Sequence, residues 1–156
     1  MASDAEQARA LVDVREIGEI TGGGEVMTKG LVLSMLQIVG RALLALLFIL
    51  AGVGKVLTWQ AVQGYMESKG VPGILLPLVI ALEVGGGAAL LFGLFVPWAA
   101  GALAIFCIAA ALIFHLNLQD RNERTAFLKD LALAGALVLV STNAIRSGPA
   151  PKPAPH

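Results

Sequence analysis

Gly40-Arg41-Ala42-Leu43-Leu44-Ala45-Leu46-Leu47-Phe48-Ile49-Leu50-Ala51-Gly52-Val53-Gly54-Lys55 decides how this chain is read. No polar side chain lies between the two cations. Fourteen helical steps separate them by about 21 Å, most of the hydrocarbon thickness of a bilayer. At about 100° per residue, those steps return Lys55 to within about 40° of Arg41. One face of this helix therefore aligns Arg41, Phe48, Gly52 and Lys55, and that face needs partners inside the membrane.

The composition agrees with a membrane solvent. Hydrophobic residues make up 57% of the 156 and charged residues only 14%, against roughly 25% charged in soluble domains. Mean hydropathy is +0.81. Between residues 70 and 114 the only charged side chain is Glu83. That run is too long for one span of about 20 residues, so it folds back on itself within the bilayer. The zero net charge gives no basic surface for nucleic acid. One cysteine, Cys107, rules out an internal disulfide or thiol relay, and two histidines leave no metal-ligand cluster. No phosphate loop or nucleophile elbow is present.

The expected fold is all-α and integral to the membrane, an up-down bundle of four spans over residues 31–146. The spans are placed at about 32–57, 73–94, 98–118 and 126–146. Residues 1–30 form a polar tail, with a Ser3–Glu6 capping box opening a short amphipathic helix that Thr21-Gly22-Gly23-Gly24 ends as a linker. Trp59, Val62 and Met66, with Tyr65 beside them, suit a short helix in the headgroup layer between the first two spans. Pro77 is expected to kink the second span. Gly101, Ala104, Ala111 and His115 form a small-residue stripe on the third. Residues 119–125 read as a charged loop, and 147–156 as a Pro-rich disordered tail. Lysines and arginines are balanced between the two sides; both termini are expected in the cytoplasm.

The intramembrane polar groups carry the functional question. Glu83 lies mid-span, where an acid costs about 2.5–3.5 kcal/mol by insertion scales, so it is expected buried and paired. Counting from the connecting loop puts Arg41 within a four-residue mismatch, about 6 Å, of Glu83. Either a structural ion pair or a proton-accepting, ligand-orienting acid satisfies that arrangement. Gly85-Gly86-Gly87 serves close helix packing or a flat slot for a ring or acyl chain. Lys55, His115, Asn117, Lys129 and Asp130 fall at one end of the bundle. Singly they are ordinary interfacial residues; together they form a polar mouth.

Several short motifs in this order resemble the DoxX family of small bacterial membrane proteins. They are Gly40-Arg41, Ala51-Gly52-Val53-Gly54-Lys55, Leu82-Glu83-Val84-Gly85-Gly86, Phe92-Gly93-Leu94-Phe95, Phe114-His115 and Phe127-Leu128-Lys129-Asp130-Leu131-Ala132-Leu133. The resemblance covers about residues 36–146. It implies a four-helix protein of the bacterial inner membrane, in a family that includes subunits of a thiosulfate:quinone oxidoreductase. Relatives with cysteine pairs do thiol chemistry, which a single cysteine does not support. Two functions follow as expectations. One is a redox-linked subunit binding quinone or a lipid-like molecule in the bundle, through Arg41, Lys55, Glu83, Gly86, His115, Lys129 and Asp130. Nothing here would hold flavin, haem or an iron–sulfur cluster, so electrons would come from a soluble or membrane redox partner. The other is a non-enzymatic scaffold, lipid-binding or assembly protein whose buried charges are structural. A transporter or channel would require a homo-oligomer, since four spans leave little room for a pore. No catalytic residue is assignable from sequence.

Overall fold

The computed structural model describes residues 4–147, with side chains from residue 26 onward. The Ser3 cap, the amphipathic face of the first helix and the Pro-rich stretch beyond residue 147 lie outside the described residues. Five helices follow one another: α1 Asp4–Leu57, α2 Trp59–Ser68, α3 Leu76–Phe92, α4 Val96–Phe114 and α5 Arg121–Arg146, with a 3-10 turn at Gly73–Leu75. Four segments are long and apolar enough to cross a membrane: Val26–Leu57, Gly73–Phe92, Val96–Phe114 and Arg121–Arg146.

The chain divides into two units, Met1–Gly40 and Arg41–His156. In the first, the helix runs through Thr21-Gly22-Gly23-Gly24, where the sequence predicts a break. Glycine lowers helix propensity by about 1 kcal/mol per residue without forbidding helical angles, and here it does not stop the helix. From Val26 to Val39 its large apolar side chains are all exposed.

The second unit holds the bundle. On α1 the buried positions are Ala45, Phe48 and Gly52, with Arg41 and Lys55 half-buried at the two ends of the same stripe. Consecutive spans run antiparallel: Gly52 lies against Val84, Gly87 against Ile49 and the Ala45 carbonyl, and Ser141 Oγ on α5 donates to the Pro97 carbonyl on α4 at 2.9 Å. The core is built largely from small side chains. Val96, Ala100, Leu103, Ala104, Cys107 and Ala111 are the buried face of α4, and all but Ala111 share one core cluster with Leu90 of α3, Ala134 and Leu137 of α5 and Phe48 of α1. Gly101 is not part of that face; a β-carbon there would meet nothing within 4 Å. In lipid there is little hydrophobic force between helices, so close approach of small residues supplies the packing.

Turn chemistry sets the helix ends. Pro77 and Pro97 each stand in the first turn of a helix, where the missing N–H costs nothing, so Pro77 starts α3 rather than kinking it. Gly93, at φ +74°, closes α3 in the left-handed conformation with Leu94 N–H donating to the Ala89 carbonyl at 2.8 Å. The fourth span begins five residues early. Asp120 caps α5 by accepting from the backbone N–H groups of Asn122 and Glu123 at 2.8 and 3.0 Å, which turns most of the expected charged loop into helix.

The glycine triplet after Glu83 is unequal. A β-carbon on Gly85 would meet nothing within 4 Å, whereas one on Gly87 would come within 3.0 Å of the Ala45 carbonyl oxygen. Gly85→Ala should therefore be neutral or stabilise by up to about 1 kcal/mol. Gly87→Ala should destabilise by about 1–3 kcal/mol by forcing α1 and α3 apart. Unfolding of the two variants in detergent checks this contrast.

Candidate functional site

Glu83 is 3% exposed, the one charged residue counted among the buried positions of the described residues. An uncompensated carboxylate at that depth would be expensive. Its Oε1 accepts from Lys55 Nζ at 2.8 Å, a charge-assisted bond of good length. The partner is therefore Lys55 and not Arg41, and the reason is register. Loop-end counting sets Lys55 level with Gly73, whereas the glycine contacts set Gly52 level with Val84. That slides α3 along α1 by eight residues, about 12 Å. Arg41 then lies twelve residues, about 18 Å, from the level of Glu83. Its guanidinium rests instead against the turn after α3, where a β-carbon on Gly93 would sit 3.4 Å from Arg41 Nη2.

A second acid–base pair stands at the same end as Lys55. His115 is the C-terminal cap of α4, its backbone N–H bonded to the Ala111 carbonyl. Its Nε2 faces Asp130 Oδ2 at 3.8 Å, an ion-pair separation beyond hydrogen-bond length. Asp130 also lies within electrostatic reach of Lys55 and Lys129, and Glu83 within reach of Asp130. The sequence-predicted Lys55, Glu83, His115 and Asp130 thus come together, drawn from four spans, while Lys129 stands exposed beside Asp130. Arg41 and Gly86 do not join them. Gly86 packs on the Leu103 side chain, whose nearest carbon would be 3.0 Å from a β-carbon there. In place of a flat open wall, Gly86 and Gly87 are helix-crossing contacts.

Two buried atoms in this cluster have no hydrogen-bond partner: Glu83 Oε2 and His115 Nδ1. Buried polar atoms are rarely left so, which makes both informative. Among the described residues no group of three or more His, Cys, Asp or Glu is placed to hold a metal ion. The thiol of Cys107, buried on α4, lies within electrostatic reach of both Glu83 and Asp130 and belongs to the surroundings of the cluster.

The connection between the first two spans covers this end. The Tyr65 ring stacks on Phe114, the residue before His115, with centroids 5.6 Å apart. Lys69 Nζ reaches Glu123 at 3.2 Å and lies 5.7 Å from the Tyr65 ring centre. Gly73 fits against Gln63 and Glu67 with no room for a β-carbon. The pairing of Tyr65 with Phe114 escapes sequence reading because 49 residues separate them. The Lys55–Glu83 pairing had a readable signal: Gly52 and Gly87 mark the helix crossing, and each charge sits within one turn of its glycine.

Breaking a buried ion pair from one side strands a charge. Lys55→Met or Glu83→Leu alone should cost about 3 kcal/mol, the low end for buried pairs because Lys55 keeps some exposure. The double variant should recover most of it, whereas Arg41→Met combined with Glu83→Leu should be additive. A detergent-unfolding cycle over the two pairs reads the difference.

Comparison with known proteins identifies the family. Residues 36–116 match the DoxX family, a region that holds Arg41, Lys55, Glu83 and His115. Inner membrane protein YqjF of Escherichia coli (strain K12) is 42% identical over 104 residues, covering 67% of this chain and 80% of the relative. No solved structure matches the chain. With a family match over half its length and a relative of this similarity, the chain is a member of the DoxX family.

Proposed function

We propose that this DoxX-family protein resides in the bacterial inner membrane and binds an amphipathic small molecule, a quinone or a lipid-like compound, with its head group at the Lys55–Glu83 and His115–Asp130 cluster. One observation carries the reading: Glu83 is almost fully buried, yet only one of its carboxylate oxygens is bonded. A purely structural ion pair has no use for a second buried acceptor. The name of the Escherichia coli relative supports the location.

The polar end of the cluster fits a quinone-type head group, since Glu83, Lys55 and His115 offer both acceptors and donors. A bound quinone would supply two-electron redox chemistry, with electrons delivered by a partner protein. In this chain the residues would orient the head group. Tyr65 and Phe114 would limit water at the entrance. Packing of Gly86 on Leu103 and Gly87 on Ile49 places no ring slot at the glycines; it favours the scaffold reading for that part of the bundle.

Mass spectrometry of the protein purified in mild detergent tests the proposal. The wild type should retain a quinone or lipid at near-stoichiometric level, and His115→Ala should reduce it by about tenfold, the loss of one strong hydrogen bond, with little change in Tm. No retained molecule above background, or a loss that merely follows a lower Tm, would establish the scaffold reading instead.

A further inference from the structure

The two unpartnered atoms differ in what they demand of a ligand. Lys55 is an ammonium with donors only, so the Glu83 Oε1 that it contacts at 2.8 Å is an acceptor. A neutral Glu83 would leave the Lys55 charge without its counter-ion in an apolar setting, so the carboxylate is the form that this contact requires. Glu83 Oε2, buried and unbonded, is then an acceptor only. Any head group that satisfies it must donate. His115 presents Nε2 towards Asp130 at 3.8 Å, too far for a hydrogen bond that would fix its tautomer. Its buried Nδ1 accepts or donates according to tautomer and charge. A hydroxyl meets both cases, because it donates and accepts. A carbonyl does not: it has no hydrogen to give to Glu83.

We infer that the cluster selects a hydroxyl-bearing head group, donating to Glu83 Oε2, over the corresponding carbonyl or ether. This rests on the ligand-binding reading above and narrows it. For a redox ligand it means preference for the reduced quinol over the quinone. For a lipid it means a head group with free hydroxyls, such as the glycerol of phosphatidylglycerol. The two sources share the same chemistry at Glu83. Lys55, which bonds to Glu83, is on the opposite oxygen. The depth of Glu83, rather than any one of its partners, is what turns a missing donor into discrimination. A hydrogen bond to a buried charge contributes more than one between neutral groups, and leaving the acceptor unmet adds the desolvation penalty.

The experiment compares matched probes on the full-length wild-type protein in nanodiscs, so no variant has to fold. The first pair is a short-chain benzoquinol, kept reduced, and its dimethyl ether, with the parent benzoquinone as a third probe. The second pair is phosphatidylglycerol and phosphatidylmethanol, of equal charge but without hydroxyls. In at least one pair the hydroxyl-bearing member should bind about tenfold tighter or more, and the pair that discriminates identifies the source. Quinol should likewise exceed quinone if the first pair is the one. Equal affinity within both pairs, with measurable binding, would overturn the donor inference and leave the binding site standing. No binding of any probe would overturn the inference together with the proposed function.

Discussion

A carboxylate held in the apolar interior of a four-helix membrane bundle is the constraint on which the rest depends. Glu83 cannot stay charged there alone, and its protonation would strand Lys55. The 2.8 Å contact with Lys55 Nζ joins the end of the first span to the second at a fixed level. It also places the cation in the last turn of α1, where the negative end of the helix dipole favours it. The pair stands close to the His115–Asp130 pair, so two acids and their basic partners share one end of the bundle while the opposite turn carries mainly aromatic and apolar groups.

Register in this protein is set by small residues rather than by loop ends. Gly52 on α1, Gly86 and Gly87 on α3 and the alanines of α4 admit neighbours so closely that each fixes what lies opposite. The consequence reaches the site. With Gly52 level with Val84, Lys55 meets Glu83 and the first residues of the second span extend past the end of the first, beside α2. That overhang lets Tyr65 and Lys69 contact the far pair of helices through Phe114 and Glu123, covering the polar end.

Much of this was legible in the sequence, and the misses share a cause. Span number, the buried stripe through Phe48 and Gly52, and the depth of Glu83 follow from hydropathy and helical period, which are local properties. The partner of Glu83 does not, because it depends on how far one helix slides along another. Glycines at 52 and 87 encode that slide, but only to a reader who treats them as crossing points. Pro77 and Asp120 were misread for a similar reason. Proline in a first turn and an Asp120–Glu123 spacing are start signals, and the surrounding polarity or apolarity obscured them. The roles of Tyr65 and Phe114 were beyond sequence reading, since nothing local links positions 49 residues apart. Helical counting sets Lys55, His115 and Asp130 at one end of the bundle, where they lie, but does not separate Arg41 and Gly86 from them.

The central claim is that Glu83 is a buried carboxylate, bonded on one oxygen and unbonded on the other. Isotope-edited infrared spectroscopy tests it directly, with 13C in the glutamate side chains of the full-length protein in bilayers at neutral pH. The reference for subtraction is the Lys55→Met, Glu83→Leu double variant, which removes both charges together. The account predicts that the signal lost with Glu83 is that of an ionised carboxylate. A protonated carboxylic acid carbonyl in its place would contradict it.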